Sequence, residues 1–381
     1  MFRATGTSLV GLDIGTTGIR GAQLSFDRSD RSYRVERIAD VDLRHGMVEG
    51  GEIVDGAGVA RALKELWKRG RFRSRKVAIG LPDRNLLTRQ VDLPWMRPED
   101  FRAALRYQVG DTLPVDLAQV ELDYHVLGEF TRTDERGQPL EMNRTLVVAA
   151  DSTRVTEWSQ CARKAGLEPV TADSPAFSLI RGLSGGRLIR NLTVNAIVDI
   201  GAEQMTVLIY RDGQPIFVRS LANVGGDIAT ARIAEALGLT FTAAEELKRA
   251  TGLTGPAPDV SPISESSVFA ALVPTSSVPR DPQAAAVVDI LNPWATNIVA
   301  EVGNSLEYFR KSSPDTNLSS LTIVGRTVLL SGLLERVATQ IPVPTKVANP
   351  LLGLPSSTRA RDVAVDTRFA SAIGLAMGVD L

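Results

Sequence analysis

The chain repeats itself. Residues 9–18 read Leu-Val-Gly-Leu-Asp-Ile-Gly-Thr-Thr-Gly, and residues 196–204 read Ala-Ile-Val-Asp-Ile-Gly-Ala-Glu-Gln. In each copy an apolar run ends in Asp-Ile-Gly. After a few small or polar residues a second β-rich run begins, Ile19–Leu24 in the first copy and Met205–Tyr210 in the second. A strand, a tight glycine turn and an antiparallel return strand satisfy both patterns. Asp13 and Asp199 lie 186 residues apart, as do Gly15 and Gly201. Two copies half a chain apart imply two similar α/β domains facing each other across a cleft.

Each hairpin is followed by a third strand candidate, Tyr33–Val41 in the first half and Pro215–Ser220 in the second. Val59, Leu63, Leu66 and Trp67 then fall at the spacing of an amphipathic helix ending near Gly70, and Val77–Leu81 reads as a strand. Residues 82–168 look like an inserted module. It opens with a helix carrying Pro98, Glu99 and Asp100 in its first turn and Phe101, Leu105 and Val109 on one face. Two strands follow, Val120–Leu127 and Arg144–Ala149, and then a helix from Asp151 or Ser152 with Val155, Trp158, Ala162 and Ala165 on its face. Prolines interleaved with Ser and Thr make 251–290 a composition break, expected as a surface loop. Trp294, Ile298, Val302, Leu306 and Phe309 mark a long helix, Leu321–Val324 a buried strand, and an Ala/Gly-rich helix starts near Ala370.

Composition narrows the function. The 381 residues carry 43 Lys plus Arg against 44 Asp plus Glu, a net charge of −1 that excludes a globally basic nucleic-acid binder. Cys161 is the single cysteine, and His45 and His125 are the two histidines, so neither a disulfide nor a Cys/His metal site is available. The first 15 residues lack a signal-peptide pattern, and no stretch approaches the roughly 18 apolar residues of a spanning helix. The expectation is a cytoplasmic protein, without direct membrane insertion, whose membrane contact runs through a partner.

Asp13, Gly15, Thr16 and Thr17 suit a phosphate loop. Glycine lets backbone amides approach phosphate oxygens, threonine hydroxyls add donors, and an aspartate at a strand end can hold hydrated magnesium. The second copy, Asp199 and Gly201, allows a polyphosphate to be clamped from both sides. Gly225-Gly226-Asp227 precedes a helix, and a helix N-terminus after glycines is an anion site. Glu245 and Lys248 stand at i,i+3 on a helical stretch. Gly325, Arg326 and Thr327 follow the late buried strand, where a nucleotide base can lie.

In this order the motifs resemble the actin-like ATPase superfamily, and within it the PilM family of type IV pilus assembly proteins. Leu93-Pro94, Leu105-Arg106-Tyr107 through Leu113-Pro114, and Leu122 to Gly128 are similar to that family's inserted subdomain. So are Ser305 to Phe309 and Val343 to Pro350. The resemblance implies an actin-like fold of two duplicated RNase H-like α/β domains with a small α+β subdomain, of SHS2 type, set into the first. The corresponding boundaries are 1–81 with 169–191 for the first domain and 82–168 for the insertion. For the second domain they are 192–225 with 321–381, and 226–320 for its outer subdomain.

For the site, the resemblance implies ATP and Mg²⁺. Asp13, Gly15, Thr16, Thr17 and Arg20 (where the family usually has Lys) would meet phosphates. Asp199, Gly201 and Ala202 would form the second loop, with Gly225, Gly226 and Asp227 beside it. Asp13 and Asp199 would hold the metal through water. Glu245 and Lys248 would contact ribose and base, with Gly325 and Thr327 behind the adenine. Two positions depart from the pattern: Glu203 stands where a small hydroxyl residue is usual, and Arg326 replaces a glycine of the adenine loop. The implied partner is the cytoplasmic N-terminal segment of a PilN-like inner-membrane protein, with other pilus assembly proteins around it and any ATPase activity slow. A small-molecule kinase of the same superfamily is the alternative, and an FtsA-like cell-division filament protein a further one.

Overall fold

A computed structural model of the chain describes residues 9–27, 29, 31–82, 86–134, 136–185, 193–253, 281–313, 316–351, 354–355 and 367–378. Most of the Pro/Ser-rich stretch expected at 251–290 lies outside the described residues.

The first hairpin is β1 (Val10–Ile14) and β2 (Gly18–Asp27), continued by β3 (Ser32–Asp42). A short ribbon, β4 (Val48–Glu49) and β5 (Glu52–Ile53), turns at Gly50 and Gly51. Helix α1 (Gly56–Gly70) is capped by Asp55, whose carboxylate accepts from the Gly58 amide at 2.8 Å, and buries Val59, Leu63 and Leu66. Next come β6 (Lys76–Gly80), β7 (Leu86–Pro94), α2 (Pro98–Gln108), β8 (Val120–Thr133) and β9 (Pro139–Asp151). Then α3 (Ser152–Lys164), β10 (Glu168–Asp173) and α4 (Pro175–Ser184) lead into the second half. That half runs β11 (Val194–Ile200), β12 (Gln204–Arg211), β13 (Gln214–Ala222), α5 (Gly226–Leu237) and α6 (Phe241–Thr251). It continues with α7 (Pro282–Ser312), β14 (Leu318–Val324), α8 (Leu333–Gln340), β15 (Thr345–Val347) and α9 (Ala370–Ala376).

Two mixed five-stranded sheets result, in the orders β10-β6-β1-β2-β3 and β15-β14-β11-β12-β13. The duplication extends to register. Asp13 pairs with Arg20 and Ile14 with Ile19; Asp199 pairs with Thr206 and Ile200 with Met205, each partner 186 residues on. The turns match as well. The Gly15 amide donates to Gly18 O and the Gly201 amide to Gln204 O, both at 2.9 Å. Parallel neighbours β6 and β14 place β1 and β11 inside their sheets, which is why these strands read as nearly continuous apolar runs.

Three segments pack differently from the sequence expectation. The inserted module is a three-stranded sheet, β7-β9-β8, backed by α2 through Phe101, Leu105 and Val109. Helix α3, expected inside that module, instead buries Trp158, Cys161, Ala162 and Ala165 with α1 and β6 in the core of the first sheet. Helix α9, expected with the second domain, covers the first sheet, where Ala372, Ile373 and Ala376 meet Ala22, Leu24, Val35 and Ile38. In exchange α4 lies on the second sheet, with Leu179 and Ile180 against Ile197, Leu208 and Val324. Residues 282–290, expected as loop, are the first turns of α7. Asp281 caps it, and Pro282 sits at a helix start, where no amide is needed.

Helices α4 and α9 cross in backbone contact. A Cβ on Gly374 would stand 1.7 Å from Ser178 O, and one on Gly182 would stand 2.3 Å from Ala370 O. Only glycine lets the helices approach this closely. Arg181 locks the crossing: its Nε donates to Gly374 O at 3.1 Å, and its guanidinium pairs with Asp173, both side chains being buried.

Candidate functional site

The duplicated topology brings the two hairpin turns to one cleft. Asp13, Gly15, Thr16, Thr17 and Arg20 line it from the first sheet. Asp199, Gly201, Ala202, Glu203, Gly325 and Arg326 line it from the second. The cavity measures about 940 Å³, counting its mouth open to solvent. Its lining carries three acids (Asp13, Asp199, Glu203) and three arginines (Arg20, Arg326, Arg368), so the cleft is close to neutral.

Asp13 sits at the end of β1 with 19% of its side chain exposed, 3.7 Å from the Arg20 guanidinium. Burial raises its carboxyl above 3.8, and Arg20 opposes that rise. Asp199 occupies the equivalent end of β11 beside Gly325. A Cβ on Gly325 would lie 2.4 Å from the Asp199 Oδ1, and its φ of +97° also calls for glycine.

Six of the sequence-derived residues stand outside the cavity lining: Gly225, Gly226, Asp227, Glu245, Lys248 and Thr327. They form the support beneath the second turn. The Gly225, Gly226 and Asp227 amides donate to Glu203 O, Gly201 O and Ala202 O at 3.3, 3.1 and 2.8 Å. The N-terminus of α5 therefore holds the loop and spends on it the donors expected for an anion. Thr327 adds a bond from its hydroxyl to Gly201 O at 2.7 Å.

Lys248, expected with Glu245 at ribose and base, is buried, while the Glu245 side chain stays partly exposed. The Lys248 ammonium lies 2.5 Å from Glu245 Oε2 and donates to Thr230 Oγ1 at 2.7 Å and to Gly226 O at 3.0 Å. Burial pulls the Lys248 amine below 10.5, and Glu245 opposes this. Burial pushes the Glu245 carboxyl up, but Lys248, Thr230 and Arg249 together hold it below 4.5. Asp227 is raised by burial, against the attraction of Lys248.

Sequence reasoning missed Thr230, Trp294 and Thr367. Trp294 Nε1 donates to Gly225 O at 3.1 Å, and the Thr367 hydroxyl donates to Gly325 O at 2.9 Å. Trp294 and Thr367 reach the site from distant elements, whereas Thr230 lies one turn into α5 and carries no motif of its own. Among the described residues no cluster of three or more His, Cys, Asp or Glu is arranged to hold a metal by itself.

The chain was compared with known proteins. A PilM–PilN type IV pilus biogenesis complex superposes with a TM-score of 0.78 at 23% identity, covering 97% of each chain. MreB5 of Spiroplasma citri, in a structure bound to ADP, gives a TM-score of 0.51 at 13% identity over 96% of this chain and 94% of that one. The ethanolamine utilization protein EutJ of Carboxydothermus hydrogenoformans gives 0.53 at 14%, over 98% and 90%. The fold is thus the actin-like one. The model of the type IV pilus assembly protein PilM family matches residues 11–257 and 278–379, nearly the whole sequence. The chain belongs to the PilM family of type IV pilus assembly proteins.

Proposed function

We propose that this pilus assembly protein binds ATP with magnesium between its two hairpin turns and captures the N-terminal segment of a PilN-type inner-membrane protein from the cytoplasmic side. The observation that carries the nucleotide reading is the pair of Asp-Ile-Gly turns, in identical register, lining one cleft. Arg20 and the Thr16 and Thr17 hydroxyls are the groups suited to phosphate oxygens. Asp13 and Asp199, one from each sheet, would hold hydrated magnesium. A bound metal would supply the positive charge that a near-neutral pocket lacks toward a triphosphate.

The actin-like structures of Spiroplasma citri MreB5 bound to ADP and AMPPNP support a nucleotide in this fold, and the PilM–PilN complex supports the partner. No described helix is long and apolar enough to cross a membrane, which suits recruitment through a partner's peptide. On this reading the nucleotide acts as a switch, with slow turnover. Calorimetric titration of the purified protein with MgATP tests this reading. Binding by wild type that Asp13→Ala weakens at least tenfold supports it, and absence of heat up to millimolar ATP refutes it.

A further inference from the structure

Three contacts between the two halves have their first-half members in one short segment. The Gly50 amide donates to Glu203 Oε2 at 2.8 Å. The Asp42 Oδ1 lies 3.1 Å from Arg326 Nη1, which also reaches Thr17 O at 3.5 Å. The His45 ring stacks on Phe241, with centroids 3.9 Å apart and planes at 11°. Their counterparts come from three separate elements of the second half: the β11–β12 turn, the loop after β14 and the start of α6. Glu203 and Arg326 thus both face this segment.

We infer that residues 42–50 form a strap that ties the two halves together across the cleft, with Glu203 and Arg326 as its seats. Singly, each contact is weak. Asp42 is 77% exposed, and an exposed ion pair contributes little. Their arrangement changes this. Once one contact on a short segment is made, the others form at high effective concentration, and the segment leaves the second half only when all three release together. The seats also bear on what enters. Phosphates approaching the second turn meet a carboxylate whose acceptor is already engaged with Gly50, and a base beside Gly325 meets a guanidinium tied to Asp42. This inference goes beyond the nucleotide proposal and stands without it, because its contacts lie within the protein.

Hydrogen exchange and solution scattering on the full chain without nucleotide test it. In wild type, amides of residues 43–53, Gly50 among them, should be protected. In Asp42→Ala/Glu203→Ala their exchange should rise at least tenfold, while the β1–β2 hairpin stays protected. The radius of gyration should grow by roughly 1 Å over the ~21 Å expected for this length. Free exchange of the segment in wild type overturns the strap, as does a double variant identical to wild type in both measurements. Should the double variant lose protection throughout, wild-type protection of the Gly50 amide decides the matter alone. ATP binding, measured separately, does not enter either outcome.

Discussion

Replacing Lys248 by Met keeps the aliphatic stem and removes the ammonium that ties α6 to α5. Three acceptors lose it: Glu245 at 2.5 Å, Thr230 at 2.7 Å and Gly226 O at 3.0 Å. Breaking one side of a buried pair costs about 3–5 kcal/mol. Glu245 is 21% exposed and keeps Arg249 at 2.8 Å and the Thr230 hydroxyl at 2.6 Å, so the loss should fall to about 2–3 kcal/mol. Urea midpoints of Lys248→Met, Glu245→Gln and the double variant measure it. The double variant should be less destabilised than the sum, because the second change removes the carboxylate stranded by the first. The pH dependence has a defined sign. Glu245 titrates lower folded than its usual 4.5, so its contribution is present above that value and lost as pH falls through the folded one. The gap between wild type and Lys248→Met should therefore narrow in acid. A loss below about 0.5 kcal/mol, the range of ordinary surface changes, or a gap that widens in acid, would refute the reasoning.

Gly374→Ala drives a methyl into the Ser178 carbonyl and should destabilise by about 3 kcal/mol or more, read as a fall in melting temperature. A neutral result would mean the α4–α9 crossing is looser than described. Trp158→Ala, at a side chain 1% exposed, should cost about 3–5 kcal/mol in the same assay. Hydrogen exchange should place that loss in α1 and β6 rather than in the β7-β9-β8 sheet, and the opposite pattern would return α3 to the inserted module.

Much of the site was legible because its signals are local and doubled. A strand ending in Asp-Ile-Gly is readable twice, and the shared offset predicts two sheets with matching hairpins. Amphipathic spacing also found α1, α3 and the body of α7. Spacing tells which face of a helix is buried, though not against what. Trp158, Cys161 and Ala162 could serve either core, and only the parallel pairing of β10 with β6 draws α3 to the first sheet. The same limit hid the exchange of α4 and α9. Lys248 was visible as an i,i+3 partner of Glu245, but its inward turn depends on Thr230 and Gly226 from another helix. Asp42, His45 and Gly50 carry no motif, since their partners lie 284, 196 and 153 residues away.

The exchange of α4 and α9 also sets an order on synthesis. Among the described residues, Ala22, Leu24, Val35 and Ile38 form an apolar face whose cover comes from residues 351 onward. The ribosome makes the strands early and their cover more than three hundred residues later. At roughly 5–20 residues per second this leaves the face bare for tens of seconds. The first-made half of this molecule therefore cannot finish folding as it emerges. It must wait, shielded by a chaperone or by its own transient collapse, for α9 to arrive.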